Sequence, residues 1–280
     1  MIIASPREYL HGTEPQEQKR LSRLNDILNG ASLSAIRLRG GERILDVGCG
    51  MAQFTRAMGR EAGARVMGID QSEAQLREAR SLARQAAEEH LIDLRQGEAA
   101  SLPLRGDEWG AFDVAHARFL LEHVPHPEAV VNGMVRALRA GGRIVLEDDD
   151  HGVIRLWPEP PGFGALWNAY IGVYERLGYD PYVGRKLVSL LHQAGAVPAR
   201  NTWLFFGSCA GNESLGPLVD NTLGLLEGAR ERIVEWQLLA PAAFDRAVSA
   251  LREWKERPDA AMWFATAWAE GVRAAPVEGV

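Results

Sequence analysis

Two groups of residues in this sequence have the types and spacing of a chemical site. The first is a turn containing Gly48 and Gly50, which follows a short apolar run, with Asp70 twenty residues further on. Glycines let a backbone approach a ligand closely, and an acid at this distance accepts hydrogen bonds from ribose hydroxyls in dinucleotide-type sites. The second is the run Glu147-Asp-Asp-Asp-His151, which offers carboxylates and an imidazole for proton transfer.

The glycine turn alone is a weak signal, because a tight connector has the same composition. Its details exclude ligands that carry a polyphosphate. The position of a third glycine is occupied by Ala52, and no lysine follows the turn as in a nucleoside-triphosphate site. Ala52 also disfavours a nicotinamide oxidoreductase of similar fold.

The acidic run leaves three interpretations open. It supplies a base or a cation-holding carboxylate for a substrate, it is a solvated loop, or it binds a metal. If the preceding strand continues, Glu147 and Asp149 share one face and Asp148 and Asp150 the other. Among these residues we favour Glu147 and His151 as catalytic groups, together with His116 after an earlier strand, and we predict no metal.

The elements that must position these residues alternate between strands and helices. A parallel sheet with helices on both faces is therefore predicted, with its ligands beyond the carboxyl ends of the strands. The strands are predicted at 43–47, 65–69, 91–96, 112–115, 143–146, 202–206 and 262–268. Helices are predicted at 14–38, 53–62, 72–89 and 127–139, and over most of 211–257.

The composition changes after residue 150, where sixteen of the 21 aromatic residues lie. We predict three regions: an N-terminal helical cap over 1–39, a cofactor-binding core over 40–150, and the remaining strands with helical lid insertions over 151–280. Phe163, Trp167, Tyr170 and Tyr174 follow one another at helical spacing. Such a stripe forms either core or the lining of an apolar pocket.

The bulk composition limits the possible functions. A formal charge of −6 disfavours a nucleic-acid partner. Two cysteines provide no disulfide framework, and the first residues lack a signal-peptide core. No apolar run approaches the length of a membrane span. We therefore expect a cytoplasmic protein with no membrane partner, either a monomer or a homodimer.

Five sequence blocks, in order, resemble the class I S-adenosylmethionine-dependent methyltransferases, especially the ubiquinone/menaquinone-type and small-molecule branch. The blocks are LDVGCG with QFT, GIDQS, GEAASLPL, FDVAHARFLLEHVPHPE and RALRAGGRIVLED, and they cover about 40–150. The resemblance implies a Rossmann-like sheet of seven mostly parallel strands and an enzyme that uses S-adenosylmethionine as methyl donor. The family usually has glycine where this sequence has Ala52.

The resemblance also implies roles for individual residues. Gly48 and Gly50 would let the backbone pass the methionine part of the cofactor, and Gln53 would be a further cofactor contact. Asp46 would orient the turn or reach the amino group through water. Asp70 would accept hydrogen bonds from both ribose hydroxyls. The remaining cofactor contacts would be Gln71 and Glu98 at the adenine, the Ala99 amide at a ring nitrogen and the Ala117 carbonyl at the amino group.

The acceptor of the methyl group is less clear from the sequence. A small organic acceptor is expected, and in-line transfer needs a base only when the acceptor must lose a proton. Candidate acceptor contacts are Tyr9, Arg118, Trp167 and Tyr170. A protein acceptor, or a non-methylating reaction such as a cyclisation on the same cofactor, remains an alternative.

Overall fold

A computed structural model describes residues 28–275 of the chain. These residues form two compact units. The core unit contains Leu28–Gly152, Asp180–Phe205 and the segment 265–275, whereas the second unit contains Val153–Tyr179 and Phe206–Phe264. The predicted N-terminal helix is described only over 28–36, which we call α1.

The core unit is built on a sheet whose central strands are parallel. Its strand order is β3-β2-β1-β4-β5-β8, and only β8 runs antiparallel to its neighbour β5. Strand β7 also pairs with β8. The bounds are β1 Ile44–Val47, β2 Val66–Asp70, β3 Ile92–Gln96, β4 Phe112–Arg118, β5 Leu138–Asp149, β7 Ala196–Cys209 and β8 Ala261–Arg273.

Helices cover both faces of this sheet, as the sequence predicts. The helices of the core unit that follow α1 are α2 Gln53–Ala62, α3 Glu73–Gln85, α4 Pro127–Ala137 and α6 Leu187–Gln193. Alternate residues of β1 enter opposite cores, since Leu45 packs with residues of α4 and α6 whereas Ile44 packs with residues of α1 and α2. Asp46 therefore lies on the α2 face.

The second unit is mostly helical. It contains α5 Phe163–Leu177, α7 Leu215–Gly228, α8 Arg230–Glu235 and α9 Pro241–Trp254. The predicted aromatic stripe lies on α5, where Tyr170 and Tyr174 are fully buried. A short strand, β6 Arg155–Trp157, pairs antiparallel with residues 261–263 of β8.

The predicted number of seven strands is wrong, because residues 28–275 contain eight. The additional strand is β6, whose three residues are too few for a periodic pattern and precede a proline-rich stretch. The predicted helix over 127–139 also ends earlier, at Ala137. There β5 begins at Leu138, and at Gly142 within this strand a Cβ atom would lie 2.8 Å from the Arg139 carbonyl oxygen.

None of the helices described between residues 28 and 275 has both the length and the apolar character needed to span a bilayer.

An ion pair in the core unit leads to a prediction about acid stability. Arg95 on β3 binds both oxygens of Glu108 at 2.7 Å, and this contact lowers the pKa of Glu108 from 4.5 to about 2. Because the pKa is lower in the folded state, the stabilisation is complete above pH 4.5 and is lost as the pH falls towards 2. We expect Glu108→Gln to cost on the order of 1–3 kcal/mol at pH 7 and to remove this acid dependence.

The measurement is urea unfolding of wild type and Glu108→Gln at pH 7, 4.5 and 3. Glu128→Gln, at an exposed acid, serves as the control and should follow the wild type. Parallel pH curves for wild type and Glu108→Gln would contradict the prediction.

Candidate functional site

The glycine turn after β1 is fixed to β2 by main-chain hydrogen bonds. The amides of Gly48 and Cys49 both donate to the Ile69 carbonyl, at 2.8 and 3.0 Å. Gly48 has φ 76°, and a Cβ atom there would lie 3.0 Å from the Leu120 side chain. The turn therefore needs glycine for its conformation and for its close approach to the loop after β4.

Asp70 connects this turn to the end of β2. Its Oδ2 accepts from the Gly50 amide at 2.9 Å, and its Oδ1 accepts from the Ser72 amide at 2.8 Å. Burial is the main cause that raises the pKa of this carboxyl, against the two amides that lower it. Each carboxylate oxygen has a second lone pair, so the carboxylate can still accept hydrogen bonds from a ligand.

Asp46 and His116 form a buried pair beneath the turn. Asp46 Oδ1 lies 2.8 Å from His116 Nδ1, and Thr55 Oγ1 donates to Asp46 Oδ2 at 2.6 Å. The pair joins β1, β4 and α2, consistent with the predicted orienting role of Asp46. His116 is also buried, with its ring 5.0 Å from Phe54, and within residues 28–275 its Nε2 has no hydrogen-bond partner.

The position where the family usually has glycine adopts a left-handed conformation. Ala52 has φ 55° and ψ 28° at the start of α2, immediately before Gln53. This conformation costs an alanine about 1 kcal/mol relative to glycine, and the structure accommodates it.

The other predicted cofactor residues lie at the carboxyl ends of neighbouring strands. Gln71 is exposed, and its carbonyl accepts from the Gln96 side chain at 3.1 Å. Glu98 is exposed, and its carbonyl accepts from the Ser101 amide, with Ala99 half-buried between them. Ala117 lies opposite Val47 in the β1–β4 register.

The residues of the run Glu147-Asp-Asp-Asp-His151 have separate environments. The strand continues to Asp149, as the predicted alternation requires. Glu147 is fully buried and accepts from Thr266 Oγ1 at 2.9 Å, whereas Asp148 accepts from the amides of Leu120 and Leu121. Asp150 binds Arg185 through both oxygens. Four of the five side chains of the run are buried, which contradicts the solvated-loop interpretation.

Asp149 and His151 approach a residue that sequence reasoning did not select, Glu122. His151 Nε2 lies 2.8 Å from Glu122 Oε2, and single ligand atoms of Glu122, Asp149 and His151 lie within 4.8 Å of one another. We call these three residues the acid–histidine cluster. Glu122 is 3% exposed, and its other oxygen lies 3.4 Å from His123 Nε2.

Burial is the main cause of the pKa shifts in this cluster and at the neighbouring His123. It raises the pKa of Glu122 to about 8 and lowers the pKa of His123 to about 3. It also raises the pKa of Asp149 and lowers that of His151. At neutral pH the imidazoles are therefore uncharged, and burial favours the protonated form of the Glu122 and Asp149 carboxyls.

Arg118 lies at the end of β4, opposite Glu147 in the β4–β5 register. Its guanidinium donates to Asn29 Oδ1 at 2.8 Å and packs 4.5 Å from the centre of the Phe54 ring. Burial lowers the pKa of Arg118, against the opposing charge of Glu147.

The remaining predicted acceptor contacts lie elsewhere in the chain. Trp167 and Tyr170 are in the second unit, 8% and 0% exposed, with ring centres 5.2 Å apart. Tyr9 lies outside the described residues.

A glycine next to the cluster leads to a second prediction. A Cβ atom at Gly184 would lie 2.7 Å from the Asp149 carbonyl oxygen and 2.9 Å from that of Asp148. Since main-chain atoms of a central strand cannot move cheaply, we expect Gly184→Ala to destabilise the protein by about 1–3 kcal/mol. Gly216→Ala, on α7 with nothing within 4 Å, should instead be neutral or stabilising. Thermal unfolding of both variants tests this, and equal melting temperatures would contradict it.

Comparison with known proteins shows which proteins this chain resembles. Residues 45–146 match the family model described as a methyltransferase domain. The ubiquinone biosynthesis O-methyltransferase of Nitrosococcus oceani is 38% identical over 122 residues, 44% of this chain and 47% of that protein. The chain thus spans about half the length of the curated relatives it matches.

Solved structures show the same fold. A putative methyltransferase from Bacillus halodurans aligns with a TM-score of 0.59 at 16% identity, over 88% of this chain and 99% of that one. The [4+2]-cyclase SpnF aligns with a TM-score of 0.52 at 22% identity, over 86% and 78% of the two chains. At these identities the likeness concerns the fold and carries no information about the reaction.

Proposed function

Residues 45–146 belong to the class I S-adenosylmethionine-dependent methyltransferases, and from this premise we propose that the chain transfers a methyl group to a small organic acceptor. The observation that carries the proposal is the glycine turn, whose Gly50 amide is bound by Asp70. A cofactor without phosphates needs acceptors for hydroxyl and ammonium groups, and the turn supplies a carboxylate with unused lone pairs.

The proposed cofactor contacts follow the five sequence blocks. Asp70 accepts from the ribose hydroxyls, with Gln71, Glu98 and Ala99 near the adenine. Gly48, Gly50, Gln53 and the Ala117 carbonyl lie along the methionine moiety. Asp46 and His116 act indirectly, because their buried pair fixes the turn through Thr55.

The proposed reaction is an in-line displacement. When bound, S-adenosylmethionine would supply a methyl group on a sulfonium sulfur, and transfer of this group to the acceptor atom would leave the thioether S-adenosylhomocysteine. For a hydroxyl acceptor, the released proton passes to the Glu122–His151 pair and then to solvent. Glu147 and Arg118 are proposed to position the acceptor. Alignment of the acceptor with the methyl group and exclusion of water supply much of the rate.

Calorimetric titration with S-adenosylmethionine and S-adenosylhomocysteine, beside NADH, tests the cofactor assignment. Acceptors are then screened with cofactor labelled in its methyl group. Label in the product supports methyl transfer, whereas an unlabelled, rearranged product would indicate a reaction such as cyclisation. Failure of a folded sample to bind either cofactor form, even with candidate acceptors present, would overturn the proposal.

A further inference from the structure

The acid–histidine cluster has the geometry of a cation site. Its three ligand atoms come from Glu122 in the loop after β4 and from Asp149 and His151 at the end of β5, and they lie within 4.8 Å of one another. Bonds from a divalent transition metal to oxygen or nitrogen are about 2.0–2.2 Å long, so two ligands of one ion are at most about 4.4 Å apart. Side-chain movements of a few tenths of an ångström would let one ion contact all three.

The two carboxyl groups of the cluster have no lysine or arginine partner among the described residues. Among residues 28–275, neither Glu122 nor Asp149 has an ion pair with lysine or arginine, although Asp150 has one with Arg185. No described donor contacts the Asp149 side chain. A buried carboxyl group is stabilised by a cation or by a proton, and the described partners of Glu122 are the imidazoles of His151 and His123.

A second observation on the same strand face is a buried carboxylate oxygen with no hydrogen-bond partner among the described residues. Glu147 precedes Asp149 by two residues and is fully buried. Its Oε2 has no hydrogen-bond partner within residues 28–275, whereas Oε1 is bound by Thr266. The charge of Arg118 interacts with that of Glu147.

The cluster is also supported by neighbouring hydrogen bonds. Asp148 binds the amides of Leu120 and Leu121, which holds the segment before Glu122 against β5. The His151 amide donates to the Pro181 carbonyl at 3.0 Å. Such outer contacts fix ligand orientation in metal sites.

We propose that Glu122, Asp149 and His151 bind one divalent transition-metal cation, with an oxygen atom of the acceptor in its open coordination positions. One imidazole and two carboxylates suit Mn²⁺, Fe²⁺ or Zn²⁺ better than Mg²⁺, which prefers oxygen ligands alone. Three protein ligands leave positions for a further ligand, as in catalytic metal sites. This proposal departs from the sequence-based prediction of no metal.

This inference rests on the proposed function, because it specifies the acceptor side of the same site. A bound cation lowers the pKa of a hydroxyl that coordinates it. The cation would therefore activate the acceptor hydroxyl in place of the Glu122–His151 pair, which accepts the proton when no metal is bound. Such a site favours acceptors that present an oxygen atom.

Titration of the full chain with Mn²⁺ after removal of metals by chelation tests the proposal. We expect one Mn²⁺ per chain by calorimetry and by electron paramagnetic resonance. Glu122→Gln, Asp149→Asn and His151→Gln should each lower the affinity at least tenfold. Glu128→Gln is the matched control, since Glu128 forms an exposed pair with His126 at 3.2 Å and should bind as wild type does.

Coupling of bound Mn²⁺ to an imidazole nitrogen in pulsed resonance spectra provides evidence on the wild type alone, should a variant fail to fold. Absence of saturable Mn²⁺ and Zn²⁺ binding, absence of nitrogen coupling, or equal loss in Glu128→Gln and Glu122→Gln would overturn the proposal. Titration with S-adenosylmethionine in the presence of chelator keeps the two proposals separable. Cofactor binding without metal binding leaves the proposed function in place and removes only the metal.

Discussion

Replacing Asp70 by alanine is expected to weaken binding of S-adenosylmethionine at least a hundredfold. The proposed ribose contacts are hydrogen bonds to a charged group, each worth about 1.5–3 kcal/mol, and a tenfold change in affinity corresponds to about 1.4 kcal/mol. The substitution also removes the acceptor of the Gly50 amide, which lies 2.9 Å from Asp70 Oδ2. The glycine turn then loses the contact that fixes it to the end of β2.

Calorimetric titration of wild type and Asp70→Ala with both cofactor forms measures this effect. Asp70→Asn should retain part of the affinity, because its amide oxygen can still accept one of the bonds. Glu61→Gln, at an exposed acid on α2, should bind as wild type does. Circular dichroism and melting curves establish that the variants fold, and an affinity within threefold of wild type in folded Asp70→Ala would contradict the prediction.

Residues close in sequence were the ones whose arrangement could be predicted. The two glycines and Asp70 belong to successive strands of one βαβ unit, and parallel pairing places their ends side by side. The helix predicted from residue 72 is capped by Ser72, whose Oγ accepts from the Gln75 amide at 3.3 Å. In a capping box the Gln75 side chain would in turn accept from the Ser72 amide. Here that amide donates to Asp70 Oδ1 instead.

Contacts between distant segments could not be predicted in the same way. Glu122 and His151 are 29 residues apart, and Asp150 and Arg185 are 35 apart. Their meeting depends on how the loops after β4 and β5 close, which strand periodicity does not specify. The available signal for Glu122 was a pair of ionisable residues, Glu122 and His123, inside the apolar stretch FLLEHV. Such residues are rarely buried without partners.

The acidic run shows why composition alone does not distinguish a solvated loop from a buried strand. Four adjacent acids resemble a solvated loop, yet pairing of β5 with β8 through Asp149 and Thr266 buries most of them. Burial then requires a separate partner for each carboxylate. Asp149 is the member for which the described residues provide no donor, and this difference led to the inferred cation site.

Removing the Glu122–His151 pair is expected to reduce turnover by about 10²–10³-fold while leaving cofactor affinity nearly unchanged. Glu122→Gln and His151→Gln each keep a side chain able to hydrogen bond, but neither leaves a pair that can accept a proton or bind a cation. Neither residue contacts Asp70 or the glycine turn among the described contacts. The loss should therefore appear in kcat with the acceptor found by labelled-cofactor screening.

The measurement compares kcat, KM and the cofactor dissociation constant for wild type and both variants, with His126→Gln and Glu128→Gln as exposed controls. Chelator separates the two chemical explanations. If wild-type kcat falls to the level of the variants with chelator and returns with Mn²⁺, the cation activates the acceptor. If it is unaffected, the pair acts as the proton acceptor by itself. A folded His151→Gln variant with kcat within threefold of wild type would exclude both roles, because a group needed for activation cannot be removed without slowing the transfer.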